Sequence, residues 1–242
     1  LFRFVDYCHG LRIPGVELTS YYFPENVTDE YLLRLKRHCH QRGMTISGGA
    51  IANDFCQLDE KKLAADIANT KRWIDRYAML GAPVIRIFAG NQPDGEEWSA
   101  TLQRCVNAVT EVSEYAAGRG IYLGLENHGG VTAKSEQMLE IVRAVKSDGF
   151  GVNLDSGNFR SSANPYEELA AIAPYAVNAQ LKVEMFPNGV KEWTDIPRVL
   201  RILVDSGYSG WVALEYEANE PPLQAIPEWI EKLKSGLREV QS

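Results

Sequence analysis

Residues 121–127 read Ile-Tyr-Leu-Gly-Leu-Glu-Asn, an apolar run that ends in a carboxylate and an amide. Three later runs have the same form: residues 150–155 (Phe-Gly-Val-Asn-Leu-Asp), 177–183 (Val-Asn-Ala-Gln-Leu-Lys-Val) and 211–216 (Trp-Val-Ala-Leu-Glu-Tyr). Near-continuous apolar runs of this length are typical of parallel strands covered by helices. Because parallel α/β folds carry their chemistry at the carboxyl ends of strands, the polar residues near the ends of these runs predict a functional site.

The same unit recurs along the chain: a helical pattern, a glycine, a short apolar strand and a polar loop. A helical pattern at residues 1–11 precedes the first strand. The strands are predicted at residues 13–19, 45–51, 84–90, 121–127, 150–155, 177–183 and 211–216. The helices that follow them are predicted at residues 28–42, 59–80, 95–119, 135–147, 165–173, 195–206 and 227–239.

Regular alternation of strand and helix leaves two architectures, a doubly wound sheet or a (β/α)8 barrel. No Gly-x-Gly-x-x-Gly follows any strand, which weakens the dinucleotide-binding alternative. No linker or change of composition divides the chain. We therefore expect an α/β protein with one (β/α)8 TIM-barrel domain over residues 1–242. Its first strand would lie before Leu1, so that the visible strands are the second to the eighth.

Composition restricts the class of protein. With 45% hydrophobic and 24% charged residues, the chain is typical of soluble globular proteins, and no apolar stretch approaches the about 20 residues of a membrane span. The net charge of −7 disfavours a nucleic-acid partner, which usually requires a basic face. The four cysteines lack Cys-x-x-Cys spacing, and we interpret them as reduced thiols of a cytoplasmic protein.

Four polar residues lie at or near the ends of four successive strands: Glu126, Asp155, Gln180 and Glu215. On the barrel interpretation they converge on one side of its mouth. Three carboxylates and an amide suit a hard or borderline divalent cation such as Mn²⁺ or Mg²⁺, whereas a site without His or Cys is less typical of zinc. The structural alternative is that these groups cap loops or form ion pairs with nearby basic residues.

Four further residues are candidates for contact with a substrate. Lys182 follows Gln180 by two positions and therefore points to the same side of its strand. Glu17 and Arg86 are charged residues inside apolar strands, and His128 lies in the loop after residues 121–127. The alternatives are an ion pair for Lys182, a structural ion pair inside the barrel for Glu17 and Arg86, and loop packing for His128.

Four segments together resemble the xylose-isomerase-like barrel family, and more closely its sugar (phosphate) isomerase/epimerase branch. They are residues 123–130 (Leu-Gly-Leu-Glu-Asn-His-Gly-Gly), 152–159 (Val-Asn-Leu-Asp-Ser-Gly-Asn-Phe), 180–184 (Gln-Leu-Lys-Val-Glu) and 210–216 (Gly-Trp-Val-Ala-Leu-Glu-Tyr). The resemblance covers nearly the whole chain. It implies the TIM-barrel fold and a divalent metal, with Zn²⁺ and Co²⁺ left open beside Mn²⁺ and Mg²⁺.

The resemblance also implies residue roles. The family holds its metal with Glu, Asp, His and Glu, which corresponds here to Glu126, Asp155 and Glu215, with Gln180 in place of His. In the epimerases the two glutamates act as acid and base on opposite faces of the substrate, a role that Glu126 and Glu215 inherit. A histidine that usually follows the aspartate by three positions is Asn158 here, and we predict that it contacts substrate.

The leading hypothesis is a metal-dependent sugar isomerase or epimerase that acts through a metal-stabilised enediolate. The same intermediate can expel a substituent, so a lyase or dehydratase for an oxidised sugar such as a 3-keto-glycoside stays open. A catalytically silent sugar-binding barrel is a third hypothesis. A DNA-repair endonuclease is disfavoured, since four histidines and a charge of −7 do not supply its zinc ligands and basic face. A homo-oligomer is left open.

Overall fold

The computed structural model describes residues 1–241, and in that range eight α-helices alternate with nine strands. The helices are α1 (Phe2–Gly10), α2 (Asp29–Gln41), α3 (Glu60–Leu80), α4 (Trp98–Ala117), α5 (Ser135–Ala144), α6 (Pro165–Ile172), α7 (Ile196–Asp205) and α8 (Pro222–Gln241). The strands are β1 (Gly15–Thr19), β2 (Thr45–Ala50), β3 (Val84–Ile87), β4 (Tyr122–Glu126), β5 (Phe150–Asp155), β6 (Ala176–Lys182), β7 (Glu184–Met185), β8 (Glu192–Trp193) and β9 (Val212–Glu215).

Seven strands form one parallel sheet in the order β1-β2-β3-β4-β5-β6-β9. The sheet curls into a nearly closed barrel whose two end strands are β1 and β9. A separate antiparallel ribbon joins β7 to β8 and follows β6 at the carboxyl end of the sheet. The prediction of an α/β barrel with a helix before its first visible strand is confirmed.

Three helices, α2, α3 and α7, begin where a side chain accepts backbone N–H groups of the first turn. Asp59 accepts from the backbone nitrogens of Lys61 and Lys62, and Asp195 accepts from that of Arg198. Such caps pair donors that a helix leaves without an internal partner. The apolar side chains of the strands and of the inward helix faces form one buried core between the sheet and the helices.

Two details differ from the sequence prediction. The β7–β8 ribbon was not predicted, because two-residue strands leave no periodic pattern in a sequence. Helix α8 begins at Pro222, five residues before the predicted start, with the proline in the first turn where its missing N–H costs no hydrogen bond.

The four cysteines are free and buried. No helix within the described range combines the length and the apolarity that a membrane crossing demands.

Candidate functional site

The parallel register brings the predicted residues to the same end of the barrel. Asp155 of β5 lies opposite Gln180 of β6, and Lys182 of β6 lies opposite Glu215 of β9. Glu126 is the last residue of β4. Alternation along each strand turns every second side chain toward the barrel axis, so residues 178, 180 and 182 of β6 share one face.

A buried lysine lies at the centre of the barrel mouth. The ammonium nitrogen of Lys182 lies 3.4 Å from Asp155 Oδ2 and 3.8 Å from Glu215 Oε2. We refer to Glu126, Asp155, Lys182 and Glu215 as the mouth cluster. The neighbouring carboxylates raise the pKa of Lys182 above its ordinary value although burial opposes this, so the ammonium stays charged at neutral pH.

Two carboxylate oxygens of the mouth cluster, Asp155 Oδ2 and Glu215 Oε2, are buried and accept no hydrogen bond. Their neighbour is the Lys182 ammonium, which forms looser ion pairs with them at 3.4 and 3.8 Å. Asp155 is fully buried, and its other oxygen, Oδ1, accepts from the backbone nitrogen of Gly157 at 2.7 Å. Burial raises the pKa of Asp155 well above its usual range, and the charges of Glu126 and Glu215 act in the same direction. Buried acceptors without donors are costly, which marks this place as one where a ligand can act.

The backbone around Asp155 is fixed by its neighbours. The side-chain amide of Asn127 accepts from the backbone nitrogen of Asp155 and donates to its carbonyl oxygen, each at 2.9 Å. Gly157 approaches β6 so closely that a Cβ there would lie 2.9 Å from the Cβ of Lys182 and 2.7 Å from the carbonyl oxygen of Glu184. The absence of a side chain at residue 157 therefore allows the loop after β5 to pack against the lysine.

Glu126 is oriented by two partners. Its Oε2 lies 2.7 Å from the Nε of Arg86, a buried ion pair, and its Oε1 accepts from the Nδ2 of Asn158 at 2.8 Å. Burial raises the pKa of Glu126 to about 7; Arg86 opposes this rise, and the charge of Glu215 adds to it. A carboxyl group with a pKa near neutrality can both accept and return a proton under physiological conditions.

Asn158 connects Glu126 to Lys182 across the mouth. Its Oδ1 accepts from the ammonium of Lys182 at 3.5 Å while its amide nitrogen donates to Glu126. The ammonium also contacts Glu217 Oε2 at 2.8 Å. The mouth therefore contains one connected array of charges in which the carboxylates outnumber the two cations, Arg86 and Lys182.

Four side chains within the barrel form a second array, which we call the polar ring: Glu17, Asn153, Asn178 and Gln180. Glu17 accepts from the Nε2 of Gln180 and, at 3.0 Å, from the Nδ2 of Asn178. Asn178 Nδ2 also donates to Asn153 Oδ1 at 2.7 Å, and Asn153 Nδ2 donates to Gln180 Oε1 at 2.6 Å. The ring links the end strand β1 to β5 and β6.

The predicted substrate contacts fall into three groups. Lys182 and Asn158 lie at the mouth, and Arg86 lies there as the partner of Glu126. Glu17 belongs to the polar ring, where it contacts two amides of β6. His128 is exposed and packs its ring against Phe88, with 4.4 Å between the centroids, and partial loss of solvent lowers its pKa.

Sequence reasoning missed several of these residues. Glu217 was not among the predicted site residues, yet it contacts Lys182; its position depends on the fold and left no local signal. Asn153 and Asn178 precede Asp155 and Gln180 by two positions, so strand periodicity could have placed them on the same inward faces.

Chemistry and charge of the mouth fit a divalent cation. Hard cations take carboxylate and amide oxygens, and Asp155 and Glu215 each present a buried oxygen without a donor. The excess of carboxylates is a further reason to expect a cation. In the geometry of residues 1–241, however, no three His, Cys, Asp or Glu side chains are grouped closely enough to hold one together. Lys182 lies between Asp155 and Glu215, and Gln180 is turned toward Glu17.

The comparisons with known proteins agree with this architecture. A family model described as the xylose isomerase-like TIM barrel matches residues 5–235. An inosose isomerase of Halalkalibacterium halodurans is 31% identical over 261 residues, which cover 100% of this chain and 92% of that protein.

Solved structures show the same fold at low sequence identity. A structure of L-ribulose 3-epimerase has a TM-score of 0.81 at 17% identity and covers 99% of this chain and 90% of that one. A xylose isomerase-like TIM barrel protein from Mycobacterium smegmatis, in complex with magnesium, has a TM-score of 0.77 at 17% identity and covers 100% and 89% of the two chains.

Proposed function

The chain belongs to the xylose isomerase-like TIM barrel family, and we propose that it is a divalent-metal-dependent sugar isomerase or epimerase. The observation that carries the proposal is the pair of buried carboxylate oxygens without donors, Asp155 Oδ2 and Glu215 Oε2, at the mouth of the barrel. The isomerase and epimerase named among the similar proteins support the reaction class.

The cation would be held by Glu126, Asp155 and Glu215, with the carbonyl oxygen of Gln180 as the fourth ligand. A carbonyl oxygen has two lone pairs, and Asn153 uses one of those on Gln180. When bound, Mn²⁺ or Mg²⁺ supplies a Lewis acid that polarises the carbonyl group of the sugar. The magnesium complex of the Mycobacterium smegmatis protein supports this class of ion.

Glu126 is the proposed base. Its carboxylate removes the proton from the carbon next to the sugar carbonyl, which leaves an enediolate. The partners of Glu126, Arg86 and Asn158, fix the direction in which its oxygens point.

Glu215 is the proposed acid that returns a proton to the enediolate. Lys182, which stays protonated, donates to the oxygen on which negative charge develops, because an ammonium in a water-poor site stabilises an anion strongly. The proposed substrate is a small sugar with a carbonyl group, and the acidic chain is proposed to act in the cytoplasm.

The test is a panel of ketoses, ketose phosphates and keto-glycosides incubated with the protein and Mn²⁺ in D₂O. We expect deuterium at the carbon next to the carbonyl and a product whose mass differs from that of the substrate only by this label. A product that has lost water or an alcohol would instead identify a lyase. Binding of sugar without any deuterium uptake would contradict the proposal and identify a silent binding barrel.

The matched controls are Glu126→Gln and Asn178→Ala. Glu126→Gln keeps the size of the side chain and its neighbours but removes the base, so deuterium uptake should stop. Asn178→Ala removes the donor to Glu17 and Asn153 but leaves both hydrogen bonds of the Gln180 amide and the mouth cluster in place, so uptake should continue. Equal uptake by wild type and Glu126→Gln would assign the proton transfer to another group.

A further inference from the structure

A cavity of about 290 Å³ opens beside the mouth cluster. Its wall includes Lys182, the loop after β5 and the loop between β7 and β8. Sites for small molecules usually measure about 300–1,000 Å³, so this cavity is at the small end of the range and suits a monosaccharide. The residues with polar or aromatic side chains on its wall are Arg160, Lys182, Glu184, Phe186, Lys191 and Glu217, together with Asn219.

The basic side chains on the wall of this cavity differ in their partners. Lys191 is paired with Glu184, and Lys182 is paired with Glu217. Arg160 forms no salt bridge and no side-chain hydrogen bond with any residue that the structure describes between positions 1 and 241. The five N–H donors of this guanidinium are therefore left for a ligand or for water.

Two contacts hold Arg160 at the cavity. Its guanidinium carbon lies 4.4 Å from the centroid of the Phe186 ring, a cation–π contact. Its carbonyl oxygen accepts from the backbone nitrogen of Gly189 at 2.9 Å, and that of Ser162 accepts from Asn188 at 2.8 Å. The two loops are thus joined at the arginine and again two residues after it. Phe186 covers one face of the planar guanidinium, so its N–H edge is left to meet an anion.

On the basis of the proposed function, we infer that the substrate is a sugar acid whose carboxylate binds Arg160. The reacting carbons of this sugar would face Lys182, the residue of the mouth cluster on the cavity wall, and its carboxylate would lie at Arg160. An arginine pairs with a carboxylate through two parallel N–H···O bonds. A carboxylate suits the cavity better than a phosphate dianion, because the two lysines that a phosphate would use already have carboxylate partners.

The test compares binding of three matched ligands by calorimetric titration: a hexuronate, its parent hexose and the corresponding hexose phosphate. For the wild type we expect about 10- to 100-fold tighter binding of the hexuronate than of the hexose, the range of a hydrogen bond to a charged group. Arg160→Gln should remove this preference and leave the affinity for the hexose unchanged. Arg160→Lys should retain part of it.

Arg198→Gln is the matched control, because Arg198 also stacks on an aromatic ring, that of Tyr166, at 3.9 Å. Arg198 does not line this cavity, so its replacement should leave the preference intact. Three results would overturn the inference: no preference in the wild type, a preference that survives Arg160→Gln, or tighter binding of the hexose phosphate than of the hexuronate. A failure of the proposed function gives a different result from a failure of this inference. In that case no deuterium uptake is found, whereas the titrations still show tighter binding of the hexuronate.

Discussion

The polar ring and the mouth cluster consist of similar residues, yet their polar atoms are partnered differently. In the ring, Gln180 and Asn153 use both ends of their amides, and among ring atoms only Asn178 Oδ1 lacks a partner. In the mouth cluster, two carboxylate oxygens are buried without donors. The difference indicates that the ring mainly joins strands of the barrel, whereas two mouth oxygens that only ion pairs with Lys182 approach are available to a ligand.

The location of each array supports this division. The ring joins the end strand β1 to β5 and β6, so it stabilises a sheet that is not closed by hydrogen bonds between β1 and β9. The mouth cluster lies at the carboxyl ends of the strands, where its Lys182 lines a cavity. Stability and chemistry should therefore respond to different substitutions on the same strands, and three predictions test this separation.

The largest expected effect is on turnover. Glu126→Gln should lower kcat by about 10²- to 10⁴-fold, since an amide cannot accept the proton that the carboxylate removes. The measurement is the initial rate on the sugar that the panel identifies, with the free energy of unfolding as control. If Glu126→Gln lost activity only to the extent that the protein unfolds, Glu126 would be a structural residue and not the base.

The second effect is on stability. Asn178→Ala should lower the free energy of unfolding by about 1–3 kcal/mol, because Asn153 Oδ1 is left buried without its donor. For a chain of this size each kcal/mol corresponds to about 2–4 °C in the melting temperature. Chemical denaturation measures the change, and kcat should stay close to that of the wild type. A loss of kcat without a loss of stability would contradict the division between ring and mouth.

The smallest expected effect is a change in the stability of the metal-free protein with pH. Burial raises the pKa of Glu17 in the ring and of Glu126 in the mouth to about 7 each, against about 4.3 in an unfolded chain. Between these values the folded state binds more protons than the unfolded state, so stability should fall as pH rises from about 5 to about 7.5.

The melting temperature of the chelated protein, measured across this range, should therefore decline by a few degrees. Glu126→Gln should reduce the decline because it removes one of the carboxyl groups whose pKa burial raises, which are Glu17, Glu126 and Asp155. Mn²⁺ at pH 8 should restore part of the loss by neutralising the mouth. A melting temperature that rises over the same range would show that these carboxylates are not buried in the way described.

Local patterns predicted much of this architecture. The apolar runs and the glycines after helices were enough for the strands, the helices and the barrel, because strand and helix periods are local properties. Strand ends also indicated which carboxylates lie at the same end of the barrel, since parallel strands align their carboxyl ends.

Side-chain contacts across the barrel could not be predicted from the sequence. Glu17 meets Gln180 across 163 positions of the chain, and nothing near either residue indicates the contact. The pairing of Glu217 with Lys182 likewise depends on how the loop after β9 returns over the mouth. The metal-ligand set of Glu126, Asp155, Gln180 and Glu215 stays a prediction, because Gln180 contacts the ring.

One measurement tests the separation most directly: calorimetric titration of Mn²⁺ into Asp155→Ala and Asn178→Ala, with the unfolding free energy of each metal-free variant. Asp155→Ala should weaken Mn²⁺ binding by at least about 100-fold, beyond the effect of losing a residue that only supports a ligand. Asn178→Ala should bind Mn²⁺ nearly as the wild type does and unfold more easily. Undiminished Mn²⁺ binding by Asp155→Ala would contradict the account and show that the mouth cluster is structural.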